Sequence, residues 1–116
     1  MSDYIYHITS EDKWQDAQGS GEYIPIEYLA DGFIHASYYH QLKQVLDFLF
    51  SAQDSVLVLE IDPLYLQAEI RVENTTGGKE KFPHIFGTLS TSAVVRTFTL
   101  TQGKEGFIIP QPEAAH

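Results

Sequence analysis

The chain has 116 residues, of which 43% are hydrophobic, and it carries 16 acidic residues against 7 lysines and arginines. This length suits one domain, and the formal net charge of −9 would repel a phosphate backbone, so we expect no nucleic acid partner. No apolar run approaches the roughly 20 residues that span a bilayer, so we expect no membrane partner, and the lack of a basic leader favours the cytoplasm. Without cysteine, histidine, carboxylate and hydroxyl chemistry remain.

Predicted strands and helices alternate in the first half of the chain. β-branched and aromatic residues with a period of two predict strands, and apolar residues three or four apart after a capping residue predict helices. On these criteria we predict a strand at 3–9, a short helix at 9–21, a connector with one helical turn at 22–32, a strand at 33–37 and an amphipathic helix from Ser37 to Phe50. In the first strand, Ile5, His7 and Thr9 share one face.

The second half is dominated by strands. We predict a central strand at 55–62, an alternating strand at 68–74, loops at 74–81 and 82–87, a capped turn at 90–95 and a hairpin within 94–109. Strands therefore cluster late and the helices are short, which favours an α+β fold over a doubly wound parallel sheet. We expect a single domain over residues 1–110, built on a split or bent, mostly antiparallel sheet, and a flexible tail at 111–116.

Two polar residues on the strand FIHAS are the first candidates for a site. His35 and Ser37 share a strand face with Phe33, and same-face neighbours lie about 7 Å apart, which would let the pair hold one small ligand. His7 on the first strand is a third candidate. A structural explanation exists for each, because a buried imidazole with two partners is stable and Ser37 would cap the helix that follows.

The strand at 68–74 and the segment FPHIFG supply further candidates. Arg71 and Glu73 point to one side of the strand, where Arg71 would bind an anion and Glu73 would act as a base or stabilise a developing positive charge. An exposed strand face with a weak ion pair is the plain explanation. In FPHIFG, His84 and Phe86 would place a polar group beside an aromatic platform, or would belong to a packed loop.

A histidine-based metal site is an alternative use of the same residues. His7, His35 and His84 with one carboxylate would suit zinc or iron, but their spacing matches no local ligand motif. We therefore expect no metal.

Several segments together resemble one protein family. IYHITSEDKW, GEY, GFIHAS and FPHIFG are similar to segments of DUF952, a family of small bacterial proteins whose function is not established, and the resemblance runs from Tyr4 to about Leu100. Family members resemble this chain in the histidine of the first strand, the GFIHxS segment, the Arg and Glu before the loop and an FPHIYG motif. Phe86 stands where the family has tyrosine, so no role of that hydroxyl carries over.

The first half also resembles the core of the RNA 2′-phosphotransferases, relatives of the ADP-ribosyltransferases. There, a strand ending in His-Gly-Thr and a later His-x-Ser strand flank the NAD site. His7 and Thr9 fall on the first motif, with Ile8 in the place of the glycine, and His35 and Ser37 fall on the second. The resemblance implies an ADP-ribosyltransferase-like fold with an NAD-shaped cleft, in which His7 orients ribose or pyrophosphate and Ser37 lies near the nicotinamide ribose.

The chain also departs from the phosphotransferases, because it is acidic and starts at the first strand, which disfavours an RNA substrate. The resemblance implies a nucleotide-like ligand such as NAD, used as a substrate for transfer or cleavage. Glu73 would then steady the ribosyl cation, and Tyr38 or Phe86 would stack on nicotinamide. The predicted catalytic residues are His7, Glu73 and His84; the predicted binding residues are Thr9, His35, Ser37, Tyr38, Arg71 and Phe86. A catalytically silent module that binds a small ligand or a protein is the alternative function.

Overall fold

Short strands and three short α-helices make up the part of the chain that the structure, a computed structural model, describes: residues 4–74 and 80–109. The strands are β1 (Ile5–Thr9), β2 (Glu22–Tyr23), β3 (Ile34–His35), β4 (Ser55–Ile61), β5 (Glu69–Glu73), β6 (Phe82–Phe86), β7 (Leu89–Ser90), β8 (Val94–Gly103) and β9 (Gly106–Phe107). The helices are α1 (Glu11–Ser20), α2 (Ile26–Asp31) and α3 (Leu42–Leu49), with 3₁₀ turns at Tyr39–Gln41, Pro63–Tyr65 and Thr91–Ala93.

The strands form two larger sheets and one small one. The larger sheets have the orders β1-β4-β8-β9 and β3-β6-β5, β2 pairs with β7, and the pairs within these sheets are antiparallel. The two larger sheets meet where Tyr6 and Ser37 form an isolated bridge, each backbone N–H donating to the other's carbonyl oxygen at 2.8 Å. The predicted single α+β domain, with a mostly antiparallel, bent sheet and short helices, is confirmed.

Strand β4 forms the centre of the four-stranded sheet, as predicted, with both faces covered. Leu57, Leu59 and Ile61 belong to a core cluster that includes Trp14 of α1, whereas alternate residues such as Val58 belong to a second cluster beneath α3. Because side chains alternate between the faces of a strand, a strand buried on both faces needs the near-continuous apolar sequence SVLVLEI.

One carboxylate is buried within this apolar sheet. Glu60 of β4 is 1% exposed and lies between Tyr6 of β1 and Arg96 of β8, which are its cross-strand neighbours. The Tyr6 hydroxyl donates to Oε2 of Glu60 at 2.9 Å, and Nε of Arg96 lies 3.4 Å from Oε1. Burial and this carboxylate raise the pKa of Tyr6 well above its usual range. The charge of Glu60 is thus compensated by two neighbouring strands.

Helix ends follow the sequence signals only in part. Helix α1 buries Trp14 and Ala17 and ends at Gly21, whose φ of 88° suits glycine and whose N–H donates to the Ala17 carbonyl. The helix predicted from Ser37 instead begins with a 3₁₀ turn and becomes α-helical at Leu42. Ser37 does not cap it, because its backbone is paired with Tyr6.

Two predicted segments differ from the structure. The strand predicted at 33–37 is regular only at Ile34–His35. The N–H of Ala36 still donates to the carbonyl oxygen of Pro83, but the backbone of Ser37 pairs with Tyr6 of the other sheet. FPHIFG, predicted as a loop, is the central strand β6.

Residues 111–116, predicted as a tail, and residues 75–79 of the predicted loop lie outside the described residues. Within the described segments, none of the helices is both long enough and apolar enough to cross a membrane.

Candidate functional site

The register of the three-stranded sheet gathers polar and aromatic side chains on one face. His84 of β6 lies opposite His35 of β3 on one side and opposite Arg71 of β5 on the other. Alternation along the strands brings further residues to this face, and Ile34, Ile70 and Ile85 turn to the core on the other. The residues that share the polar face are Phe33, His35, Phe82, His84, Phe86, Glu69, Arg71 and Glu73.

Four rings on this face are in mutual contact. The ring centroid of Phe33 lies 4.8 Å from that of His84, 5.0 Å from that of His35 and 5.1 Å from that of Phe86. His35 and His84 are 5.4 Å apart and nearly perpendicular. Such edge-on contacts fix ring orientation. The aromatic contacts therefore hold the rings of His35 and His84 in defined orientations.

A cavity of about 270 Å³ opens where β1 and β3 diverge beyond their bridge. It is bounded by β1, β3 and β6, by the end of α3 and by α2. Its lining residues are Tyr6, His7, Ile8, Glu27, His35, Ala36, Ser37, Val45, Leu49, Phe50, Phe82 and His84. The structure thus brings His7, His35, Ser37 and His84 together, as four of the nine predicted site residues.

His84 lines this cavity although the residue is almost fully buried. The residue is 2% exposed, and its Nδ1 has no hydrogen-bond partner within the described part of the chain. Burial lowers the pKa of His84, as does the neighbouring His35, whereas Glu73 acts in the opposite direction. A buried polar atom without a partner costs about 1–3 kcal/mol, so a neutral imidazole is held here ready to bond a ligand or water.

His7 differs because both of its ring nitrogens are engaged. Nδ1 donates to the carbonyl oxygen of His35 at 2.6 Å, and Nε2 lies 2.8 Å from the hydroxyl of Tyr23, which is 2.9 Å from the hydroxyl of Thr9. Burial lowers the pKa of His7. This geometry favours a role in positioning β3 against β1 and β2, and the predicted catalytic role of His7 stays a prediction.

Glu27 of α2 is a cavity residue that the sequence analysis missed. Its Oε2 accepts the backbone N–H of His35 at 2.9 Å, and its negative charge opposes the lowering of the pKa of His7. It lies in the connector predicted at 22–32, where Pro25 precedes the first residue of α2. Nothing in the spacing of residues 22–32 indicated that one carboxylate would reach β3.

Arg71 extends the site along the sheet face and outside the cavity. Its guanidinium lies 4.3 Å from the ring centroid of Phe86 and 3.1 Å from a carboxylate oxygen of Glu69. Hydrogen bonding to Arg71 lowers the pKa of Glu69. Arg71 and Glu73 therefore point to the same side as His84, at the outer edge of the sheet.

Comparison with known families identifies the chain's relatives. The family model described as "Protein of unknown function (DUF952)" matches residues 8–97. The chain belongs to the DUF952 family. No curated protein matches it.

Solved structures agree with this assignment. A crystal structure of protein CC0527 from Caulobacter crescentus is 30% identical to this DUF952 protein, covering 90% of this chain and 91% of that one, with a TM-score of 0.78. A solution NMR structure of CC0527 is 31% identical over 93% of this chain and 91% of that one, with a TM-score of 0.77. These structures share the fold of the DUF952 chain.

Two predicted binding residues of the DUF952 chain lie away from the cavity. Tyr38 packs against the core cluster that contains Ile34 and stacks on His40, with ring centroids 6.1 Å apart, because alternation turns it to the opposite side from Ser37. Thr9 faces Tyr23 instead of the cavity. The expected stacking of Tyr38 on a ligand ring in this cavity is therefore replaced by core packing.

The metal alternative has no support in the described geometry. No group of three or more histidine and carboxylate side chains within residues 4–74 and 80–109 is arranged to hold a metal ion. Both nitrogens of His7 already have partners, which leaves its ring without a free ligand atom.

Proposed function

We propose that this DUF952 protein binds a nucleotide-like ligand such as NAD, with the reactive end of the ligand in the cavity between β1 and β3. The observation that carries the proposal is Nδ1 of His84, which is buried beside His35, belongs to a residue that lines the cavity and has no hydrogen-bond partner among the described residues. A bound ligand or a catalytic role is one explanation for an unsatisfied buried group in a native protein. The resemblance of the His7 and His35 strands to an NAD-binding core supports the same ligand class.

The size of the cavity limits which part of the ligand enters it. Small-molecule sites usually enclose about 300–1,000 Å³, and this cavity of about 270 Å³ falls just below that range. One ring with its sugar would fill it. The remainder would lie along the sheet face past Phe86, where Arg71 offers a guanidinium to a phosphate.

The side chains suit cleavage of a glycosidic carbon–nitrogen bond. The bond pair would leave with the nicotinamide, and the ribosyl cation that remains would be stabilised by the carboxylate of Glu73, which lies outside the cavity lining on β5, opposite the lining residue Phe82. Water or another acceptor then adds to the cation and gives its proton to neutral His84, whose lowered pKa keeps the free base available at neutral pH. Glycohydrolysis and transfer differ only in the acceptor.

Ligand binding without catalysis is the second candidate. It is favoured by the full hydrogen bonding of His7 and by the pairing of Arg71 with Glu69, since both arrangements hold the site in one state without a substrate. The same assay separates the two candidates.

The test measures NAD binding by calorimetry and nicotinamide release by chromatography at millimolar NAD. The intact protein should bind NAD and release nicotinamide. Glu73→Gln should slow release by about 10²-fold or more with binding retained, and His84→Asn should weaken both. Glu11→Gln, at an exposed position of α1, is the matched charge control and should change neither NAD binding nor nicotinamide release. Binding without release supports the silent module, and absence of binding refutes the nucleotide proposal.

A further inference from the structure

The charges around the cavity favour a class of ligands that is broader than NAD. We propose that the cavity selects a positively charged aromatic ring over a neutral ring of the same shape, with Glu27 as the selecting residue. The inference uses the proposed site, but it holds for any ligand that carries such a ring.

Glu27 supplies the carboxylate of the cavity. Among the lining residues that the structure describes there is no lysine or arginine to neutralise it. Its Oε2 is held by the N–H of His35, which fixes the carboxylate on the cavity wall. A second carboxylate, that of Asp31, lies outside the cavity lining and 3.7 Å from Nε2 of His35.

Two of the three histidines that line the cavity do little to cancel this negative charge. Burial lowers the pKa of both His7 and His84, which favours the neutral ring at neutral pH. The result is a partly enclosed, mainly apolar space with a fixed negative charge on one wall. In such surroundings a single charge acts more strongly than in water.

Aromatic rings complete the arrangement. Tyr6, Phe50 and Phe82 line the same cavity as Glu27. Ring faces attract cations through their quadrupole, by about 0.5–2 kcal/mol depending on desolvation, and carboxylate and ring together are the usual combination for organic cations. A neutral ring would gain the packing but not the charge interaction.

His84 adds a requirement for a polar substituent. Its Nδ1, on β6, is buried and has no hydrogen-bond partner within the described residues. A ligand that satisfies it must carry a hydrogen-bonding group such as an amide or hydroxyl. The chemical class is therefore a compact cationic ring with one polar substituent, of which an N-alkylated pyridine carboxamide is an example.

The test compares 1-methylnicotinamide, which is a cation, with nicotinamide, which is neutral and nearly the same shape. Ligand-observed NMR titrations of the intact protein should show the cation binding about tenfold more tightly. Glu27→Gln keeps an acceptor for the His35 N–H and removes the charge, so the preference should fall below about threefold through weaker binding of the cation. Asp31→Asn, outside the cavity lining, should give a smaller reduction.

Glu11→Gln serves as the control for overall charge and should leave the preference intact. Equal or tighter binding of nicotinamide, a preference that survives Glu27→Gln in the folded variant, or binding of neither probe at millimolar concentration would each overturn the inference. Its failure is distinguishable from that of the nucleotide proposal. Cleavage of NAD with no preference between the probes refutes only charge selection, whereas a preference that depends on Glu27 without NAD binding refutes only the nucleotide.

Discussion

Mild acid should destabilise this protein through its two buried histidines. His7 is 3% exposed and His84 is 2% exposed, and burial lowers the pKa of each below the ordinary value of 6.5. Both rings therefore bind protons more weakly in the folded state than in the unfolded chain, which takes up protons at its ordinary pKa. Their contribution is fully present above that value and is lost as the pH falls from it toward the folded-state pKa.

The magnitude follows from proton linkage. Between about pH 7.5 and 5.5, each histidine that stays neutral in the folded state lowers the free energy of unfolding by up to about 1.4 kcal/mol, so the pair accounts for up to about 2.7 kcal/mol. That is a large fraction of the about 5–15 kcal/mol of a typical domain. Carboxylates with lowered pKa, such as Asp47 and Glu80, lose their contribution at lower pH and fall outside this window.

Urea unfolding at several pH values measures this loss. Trp14 is the single tryptophan and is buried, so its fluorescence reports the core. His84→Asn should remove about half of the pH dependence, because asparagine does not titrate. A free energy of unfolding that stays constant across the window would refute the reasoning.

Three further changes test the packing, each by urea unfolding. Tyr6→Phe removes a hydrogen bond to the buried carboxylate of Glu60 and should cost about 1.5–3 kcal/mol, and no loss would contradict the pairing. Gly106→Ala should cost about 1–3 kcal/mol, because φ is +96° and an added Cβ would lie 2.6 Å from Asp47. Leu59→Ala should lower the free energy of unfolding by about 2–5 kcal/mol. A loss smaller than that of the same substitution at an exposed leucine would contradict the central place of β4.

Period-two reasoning worked where strands had one polar and one apolar face. It grouped His35 with Ser37, and Arg71 with Glu73, and the observed register places His35, Arg71 and Glu73 on one sheet face with His84. The alternation of side chains is local, so sequence alone contains it. Which strands then pair is a tertiary property, and the sequence did not predict that β6 joins β3 to β5.

The failure at FPHIFG has a specific cause. The loop prediction rested on a proline, a histidine, two aromatic residues and a glycine within six residues, and Pro83 also lacks the N–H that a central strand donates. In the structure the carbonyl of Pro83 still accepts the N–H of Ala36, and its side chain is buried. The ladder tolerates the missing donor, and the loss of one hydrogen bond is outweighed by the burial of Ile85 and its neighbours.

Side-chain reach explains the other differences at the site. Glu27 contacts His35 because α2 folds back on β3. Leu49, an apolar residue of the amphipathic helix α3, is 67% exposed and lines the cavity. A helical period predicts which residues share a face, not how far a neighbouring sheet covers it. The apolar stripe therefore extends past the core into the rim of the site.

The bridge between Tyr6 and Ser37 also has a consequence for the order of folding. Both walls of the cavity depend on pairings between strands that are distant in the chain, β1 with β4 and β3 with β6. Closing such long loops costs entropy before any contact forms, so topologies of this kind fold slowly. The bridge joins two sheets that must each be assembled first, which places the completion of the cavity late on the folding pathway.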